Sequence, residues 1–128
     1  MKLLLDTHLL LWAAGQPAKL SRKARTLIEK EENALYFSAA SLWEVTIKRT
    51  LNRPDFRADP RLLRRSLLDN GYTEMPISSE HAVFVGSLPP LHKDPFDRIL
   101  IAQASVEGVT LLTADEMLTA YSGPIMKV

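Results

Sequence analysis

The sequence predicts an α/β fold of three layers, with a mainly parallel central sheet flanked by helices. Two observations carry this. Short apolar runs at Lys2–Leu5, Ala34–Phe37 and Val109–Thr113 have the length and composition of buried strands. Segments of helical period alternate with them through short connections, the arrangement of a parallel sheet with crossover helices. At 128 residues the chain predicts one domain, 1–128, long enough to bury a real core.

In order, Lys2–Leu5 is the first strand. Thr7–Ala14 is apolar on nearly all sides and reads as a helix packed on two faces, ended by Gly15 and Pro17. Ser21 caps a second helix with Ala24, Leu27 and Ile28 as its buried stripe, running to about Asn33. Ala34–Phe37 is a strand, and Ser38 to about Leu51 a helix. Asn52–Ala58 is a loop. Asp59-Pro60 opens a helix whose stripe is Leu62, Leu63, Leu67 and Leu68, with Asn70-Gly71 at its end. Glu74–Ile77 is a weak strand that Pro76 confines to a sheet edge. Ser78 or Ser79 caps a helix to about Ser87, and a proline-punctuated loop follows. Asp94 caps the next helix, Pro95 takes its first position and Gly108 closes it. Val109–Thr113 is a strand, Asp115 opens a last helix to Tyr121, and Pro124–Val128 is a short edge strand.

Composition narrows the chemistry. There is no cysteine, which excludes disulfides, thiolate metal sites and thiol nucleophiles and fits a reducing, cytoplasmic compartment. A formal net charge of +1 supplies no global basic field, so any nucleic acid must be held by a local patch. The first apolar run breaks at Asp6, which argues against a signal peptide, and no run reaches the roughly 18 apolar residues of a membrane span.

Four acids occupy comparable places just beyond strands. Asp6 follows the first strand, Glu44 lies early in the helix after the second, Asp97 in the first turn of the helix opened by Asp94, and Asp115 after the last clear strand. Each has a structural explanation: Ser41-Leu42-Trp43-Glu44 matches a capping box, and Asp6 and Asp115 fit plain caps worth about 1 kcal/mol. Ligands of open α/β sheets bind beyond the carboxyl ends of the strands, so the four can also converge. Carboxylates that close repel by about 4 kcal/mol per pair at ~4 Å in an effective dielectric near ~20. Such a cluster protonates in part or takes a cation, and all-oxygen ligands suit Mg²⁺ or Mn²⁺.

Leu3-Leu4-Leu5-Asp6-Thr7-His8, Ser41-Leu42-Trp43-Glu44, His92-Lys93-Asp94-Pro95-Phe96-Asp97-Arg98 and Leu112-Thr113-Ala114-Asp115 together resemble, in order and over the whole chain, the motifs of PIN-domain ribonucleases. The VapC-type toxins of bacterial toxin–antitoxin pairs are the most similar branch. The resemblance implies a PIN-like sheet, a site of Asp6, Glu44, Asp97 and Asp115 that binds Mg²⁺ or Mn²⁺ and is catalytic, and endonucleolytic hydrolysis of RNA by metal-activated water. It also implies a cognate antitoxin and a homodimer. Thr113 matches a position that supports the site through its hydroxyl, and Asp94 is expected to cap its helix beside the site.

Other residues read less sharply. Arg98 pairs with a carboxylate or with an RNA phosphate. Ser38 and Ser41 orient acids or cap. His8, His81 and His92 lack zinc spacing, with His8 packed and His92-Lys93 in a solvated loop. Trp12 and Trp43 read as core or interface anchors. Arg61, Arg64 and Arg65, like Arg22, Lys23 and Arg25, read as solvated faces. Two alternatives are a PIN-fold module that binds RNA or protein without cleaving, and a phosphohydrolase of the haloacid-dehalogenase type. The second needs an acid two residues after Asp6, where this chain has His8.

Overall fold

The computed structural model describes residues 1–128. Five parallel strands run β1 (Lys2–Leu5), β2 (Ala34–Ser38), β3 (Thr73–Met75), β4 (Thr110–Thr113) and β5 (Ile125–Lys127), in the spatial order β3-β2-β1-β4-β5. Six α-helices connect them: α1 (Thr7–Gly15), α2 (Arg22–Glu29), α3 (Ala39–Thr50), α4 (Pro60–Asp69), α5 (Ser79–Phe84) and α6 (Pro95–Glu107). None is long and apolar enough to cross a membrane.

The side-chain alternation of the strands makes the layers. Leu3 and Leu5 of β1 join Phe37, Leu112 and the inward residues of α1–α4, among them Leu9, Leu10, Ala24, Val45, Leu63 and Leu67. Leu4, one residue out of phase, faces the other way and packs with Leu111, Leu100, Ile101, Ala104, Leu118 and Tyr121. β1 is therefore apolar on both faces because both are covered, and Leu3, Leu4 and Leu5 are fully buried.

Several boundaries differ from the sequence expectation for local reasons. α2 stops at Glu29, and Asn33 folds its amide back to donate to the Leu27 carbonyl at 2.9 Å. β3 begins at Thr73 and ends at Met75, so Pro76 terminates the strand and does not lie within it. β3 and β5 are the two edges, as expected. Ser78 is the cap of α5, with His81 closing a reciprocal capping box in place of the usual Glu or Gln. The helix expected after Asp115 is a 3₁₀ segment, Glu116–Ala120, tightened by Leu118 N–H and Tyr121 N–H bonds three residues back, each 3.2 Å. α6 ends as predicted, with Gly108 at φ 69°, the left-handed conformation that favours glycine.

Candidate active site

The ends of β1 and β4 are tied together by Asp6 and Thr113. Asp6 follows β1 and caps α1, Oδ1 accepting the Leu9 N–H at 3.0 Å. Its other oxygen accepts the Thr113 hydroxyl at 2.6 Å. Thr113 is the last residue of β4, and its hydroxyl oxygen accepts the Asp115 N–H at 3.0 Å. Asp115 in turn caps the 3₁₀ segment through Oδ1, at 2.9 Å from the Met117 nitrogen. β1 has β2 on one side and β4 on the other, so this junction lies where the strand order reverses, at the carboxyl edge of the sheet.

Glu44 enters from α3. The capping-box explanation for it fails: Ser38 caps α3, accepting the Ala40 N–H at 3.0 Å, and Glu44 sits a turn further in. It is only 3% exposed, yet both oxygens are met. Thr7 Oγ1 lies 2.6 Å from Oε1, and Lys48 Nζ lies 2.6 Å from Oε2. Ser41 Oγ is 2.9 Å from the same Thr7 hydroxyl, whose single proton goes to the carboxylate. Ser41 thus reaches Glu44 through Thr7.

The opening of α6 separates its two acids. Asp94 caps the helix through Oδ1, 2.8 Å from the Phe96 nitrogen and 3.4 Å from that of Asp97, while Oδ2 lies 3.8 Å from Lys48 Nζ. Asp97 takes no part in capping. Its Oδ2 lies 3.0 Å from His92 Nε2, and the same nitrogen is 3.9 Å from Asp115 Oδ2. Burial, then the charges of Asp94, Glu44, Asp6 and Asp115, push the Asp97 carboxyl up to about 7. Burial also raises Asp6, against the lowering effect of the Thr113 and Leu9 hydrogen bonds.

Arg98 pairs with no carboxylate. Its guanidinium donates to the carbonyls of Pro89, Val85, Leu88 and His92 and to the Tyr121 hydroxyl, at 2.9 to 3.5 Å. It ties the 85–92 segment to α6. Tyr121 receives the His92 N–H at 2.8 Å, so His92 is a held residue and the solvated-loop expectation for it does not stand. His92 Nδ1 faces the Asp94 N–H at 3.4 Å, which leaves Nε2 to carry the ring proton toward Asp97.

The remaining candidates lie elsewhere. His8 pairs with Asp55 at 3.2 Å and packs on Trp12 and Phe56, and His81 bridges Ser78 and Glu107. Trp43 is no core anchor: it is 60% exposed, its ring meeting Phe96 edge-on at a centroid distance of 5.4 Å. Arg61, Arg64 and Arg65 are exposed on α4. Sequence reasoning passed over Thr7 and Lys48. The second was legible as a helical i,i+4 partner of Glu44, whereas nothing local marks Thr7 as its hydrogen-bond donor.

The donor chemistry suits a hard divalent cation. Asp97, Asp115 and His92 offer ligand atoms that all lie within 4.8 Å of one another, and further carboxylate oxygens from Asp6 and Glu44 stand near enough to raise Asp97. Together with the sheet, these acids define a parallel α/β domain with an acidic site at its strand ends. The PIN domain family model matches residues 3–124, and the chain belongs to that family. Solved structures share the fold. The VapBC2 complex of Rickettsia felis, bound to a DNA fragment from its promoter, aligns at a TM-score of 0.73 and 16% identity, over 99% of this chain and 98% of that one. DNA-bound VapBC of Salmonella typhimurium aligns at 0.70 and 12%, over 99% and 98%. Mycobacterium tuberculosis VapC20, a sarcin–ricin loop cleaving toxin, aligns at 0.64 and 15%, over 92% and 93%. No curated protein matches the chain in sequence.

Proposed function

We propose that the protein is a Mg²⁺- or Mn²⁺-dependent endoribonuclease, the toxin of a type II toxin–antitoxin pair. The observation that carries this is the setting of Asp97: it offers a ligand atom within 4.8 Å of those of Asp115 and His92, no lysine or arginine pairs with it, and burial among four other acids raises its carboxyl to about 7. Membership of the PIN family and likeness in fold to VapBC complexes and to a VapC that cleaves the sarcin–ricin loop support the reading.

Asp6, Glu44, Asp97 and Asp115 are the metal-binding and catalytic acids in this proposal. A bound divalent ion supplies charge neutralisation at the phosphate and lowers the pKa of water. The chain's own groups fix the geometry. Thr113 and the α1 backbone hold Asp6, Thr7 and Lys48 hold Glu44, and Asp94 aims α6 so that Asp97 faces the other acids. Capping engages one oxygen of Asp6, of Asp94 and of Asp115; the second oxygen of Asp115 is left for the site, that of Asp6 accepts the Thr113 hydroxyl, and that of Asp94 faces Lys48.

The partners are RNA as substrate, a cognate antitoxin and a second copy of the chain. An apolar groove beside the acids, walled by Trp43, Ile77 and Phe96, offers exposed surface for protein contact. The test is cleavage of RNA by purified protein with Mg²⁺, with EDTA, and as Asp6→Asn and Asp97→Asn. Metal-dependent cleavage lost in both variants is expected; undiminished cleavage in either sinks the assignment.

A further inference from the structure

Lys48 stands apart from the other lysines of the chain. On α3 it is one turn beyond Glu44, an ordinary spacing for a surface ion pair worth a few tenths of a kcal/mol. Its surroundings are not those of a surface pair. The Lys48 side chain is 17% exposed and that of Glu44 4%, with 2.6 Å between Nζ and Oε2. A second carboxylate, Asp94 Oδ2 from the start of α6, is 3.8 Å from the same ammonium. Two aromatic rings seat it, Phe56 at 4.8 Å and Phe96 at 5.7 Å from ring centroid to Nζ. Two carboxylates from different elements and two aromatic faces thus converge on one cation.

Asp97, Asp115 and His92 form a separate group, with ligand atoms within 4.8 Å of each other, and neither Asp97 nor Asp115 contacts a lysine or arginine. Sites that take two divalent ions hold them about 3.5–4 Å apart on carboxylates arrayed around both. Here the oxygens left for a second ion would be those of Glu44 and Asp94, and the ammonium already stands between them. A divalent ion placed there would have to expel Lys48 from its aromatic seat or bear its repulsion at close range.

We propose that Lys48 supplies the second positive charge of this acidic site, standing where a second divalent ion would otherwise lie, so that the carboxylates take up a single ion. This rests on the metal-dependent reading above and deepens it. Lys48 is a positioning residue: it holds Glu44 Oε2 and Asp94 Oδ2 toward itself and leaves Asp97, Asp115 and the unused lone pairs of Asp6 and Glu44 to the ion.

Counting Mn²⁺ per chain at saturation, by equilibrium dialysis with metal analysis and by electron paramagnetic resonance, tests this on the full-length protein near neutral pH. One ion is expected in the wild type and in Lys48→Arg, and two in the neutral variants Lys48→Met and Lys48→Gln. A purely structural role would lower stability without adding an ion. Two ions in the wild type overturn the proposal without any variant. One ion in a folded neutral variant, checked by circular dichroism, overturns it as well. No ion in the wild type overturns the metal-dependent reading itself and this inference with it, whereas one or more leaves that reading standing.

Discussion

Glu44 has a protein partner on each oxygen, Thr7 on one side and Lys48 on the other, both at 2.6 Å. Asp97, a neighbour on a different helix, has only His92 at 3.0 Å and four carboxylates around it. Glu44 is the more deeply buried, with 4% of its side chain exposed against 21% for Asp97. The difference teaches that burial by itself does not create demand for a cation; burial without compensating partners does. The fold has answered one acid internally and left the other to a proton or a metal.

The sharpest way to break that comparison is to neutralise each acid in turn. Asp97→Asn is expected to lower RNA cleavage about a thousandfold or more, as loss of a transition-state charge partner does. The same variant should stabilise the metal-free protein at pH 8 by roughly 1–3 kcal/mol, because it removes a carboxylate held far from its ordinary range. Glu44→Gln should lose activity too, but destabilise by roughly 2–3 kcal/mol, since Lys48 is left beside a neutral group. Urea unfolding of the two variants checks the opposite signs; shifts in the same direction would dissolve the contrast.

Arg98→Ala comes next. It removes donors to four carbonyls and the Tyr121 hydroxyl and should cost about 2–3 kcal/mol. Because those bonds hold His92 against Asp97, activity should fall as well, and Arg98→Lys should restore little of either, lacking the planar fork. Denaturation and cleavage measured together test whether the two losses travel together.

A smaller effect concerns pH. The folded Asp97 carboxyl titrates at about 7 and its ordinary value is 3.8. Its contribution to stability is therefore full below about pH 4 and is lost as pH rises to about 7. Under the proposed metal dependence Mn²⁺ would take the proton's place above that range, so it should raise Tm by several degrees at pH 8 and by far less at pH 5. An equal rise at both values would show that the ion binds elsewhere. The smallest effect is Thr113→Val, expected to cost about 1–2 kcal/mol and roughly tenfold in cleavage, by freeing Asp6 from its 2.6 Å bond.

Most of the architecture was legible because it rests on local chemistry. Lys2–Leu5 read as a buried strand, and Asp94-Pro95 and Gly108 mark α6 at both ends. The edge position of β3 followed from Pro76, although the proline stops the strand and does not interrupt it. The misplaced features depend on contacts distant in sequence. Arg98 offers a guanidinium to any acceptor, and only the folded course of residues 85–92 selects carbonyls over carboxylates. His92 lies in a proline-rich loop that Tyr121, 29 residues on, fixes in place. Glu44 matched a capping box letter by letter, but α3 begins three residues earlier than that match requires, at a cap formed by Ser38. Capping does not bar a carboxyl group from a second role, because in Asp94 and Asp115 it engages Oδ1 alone.

The bond from Thr113 to Asp6 joins residues 107 positions apart. Its formation requires β4 to add beside β1, the longest loop closure among the sheet pairings. During synthesis, Asp6 is made 107 residues before the partner it bonds. A nascent chain therefore carries the first acid without the site, and any fragment ending before β4 lacks the residues that complete it. Under the proposed activity on RNA, the order of translation is itself a safeguard: no ribosome meets an assembled site of this chain before β4 has been made.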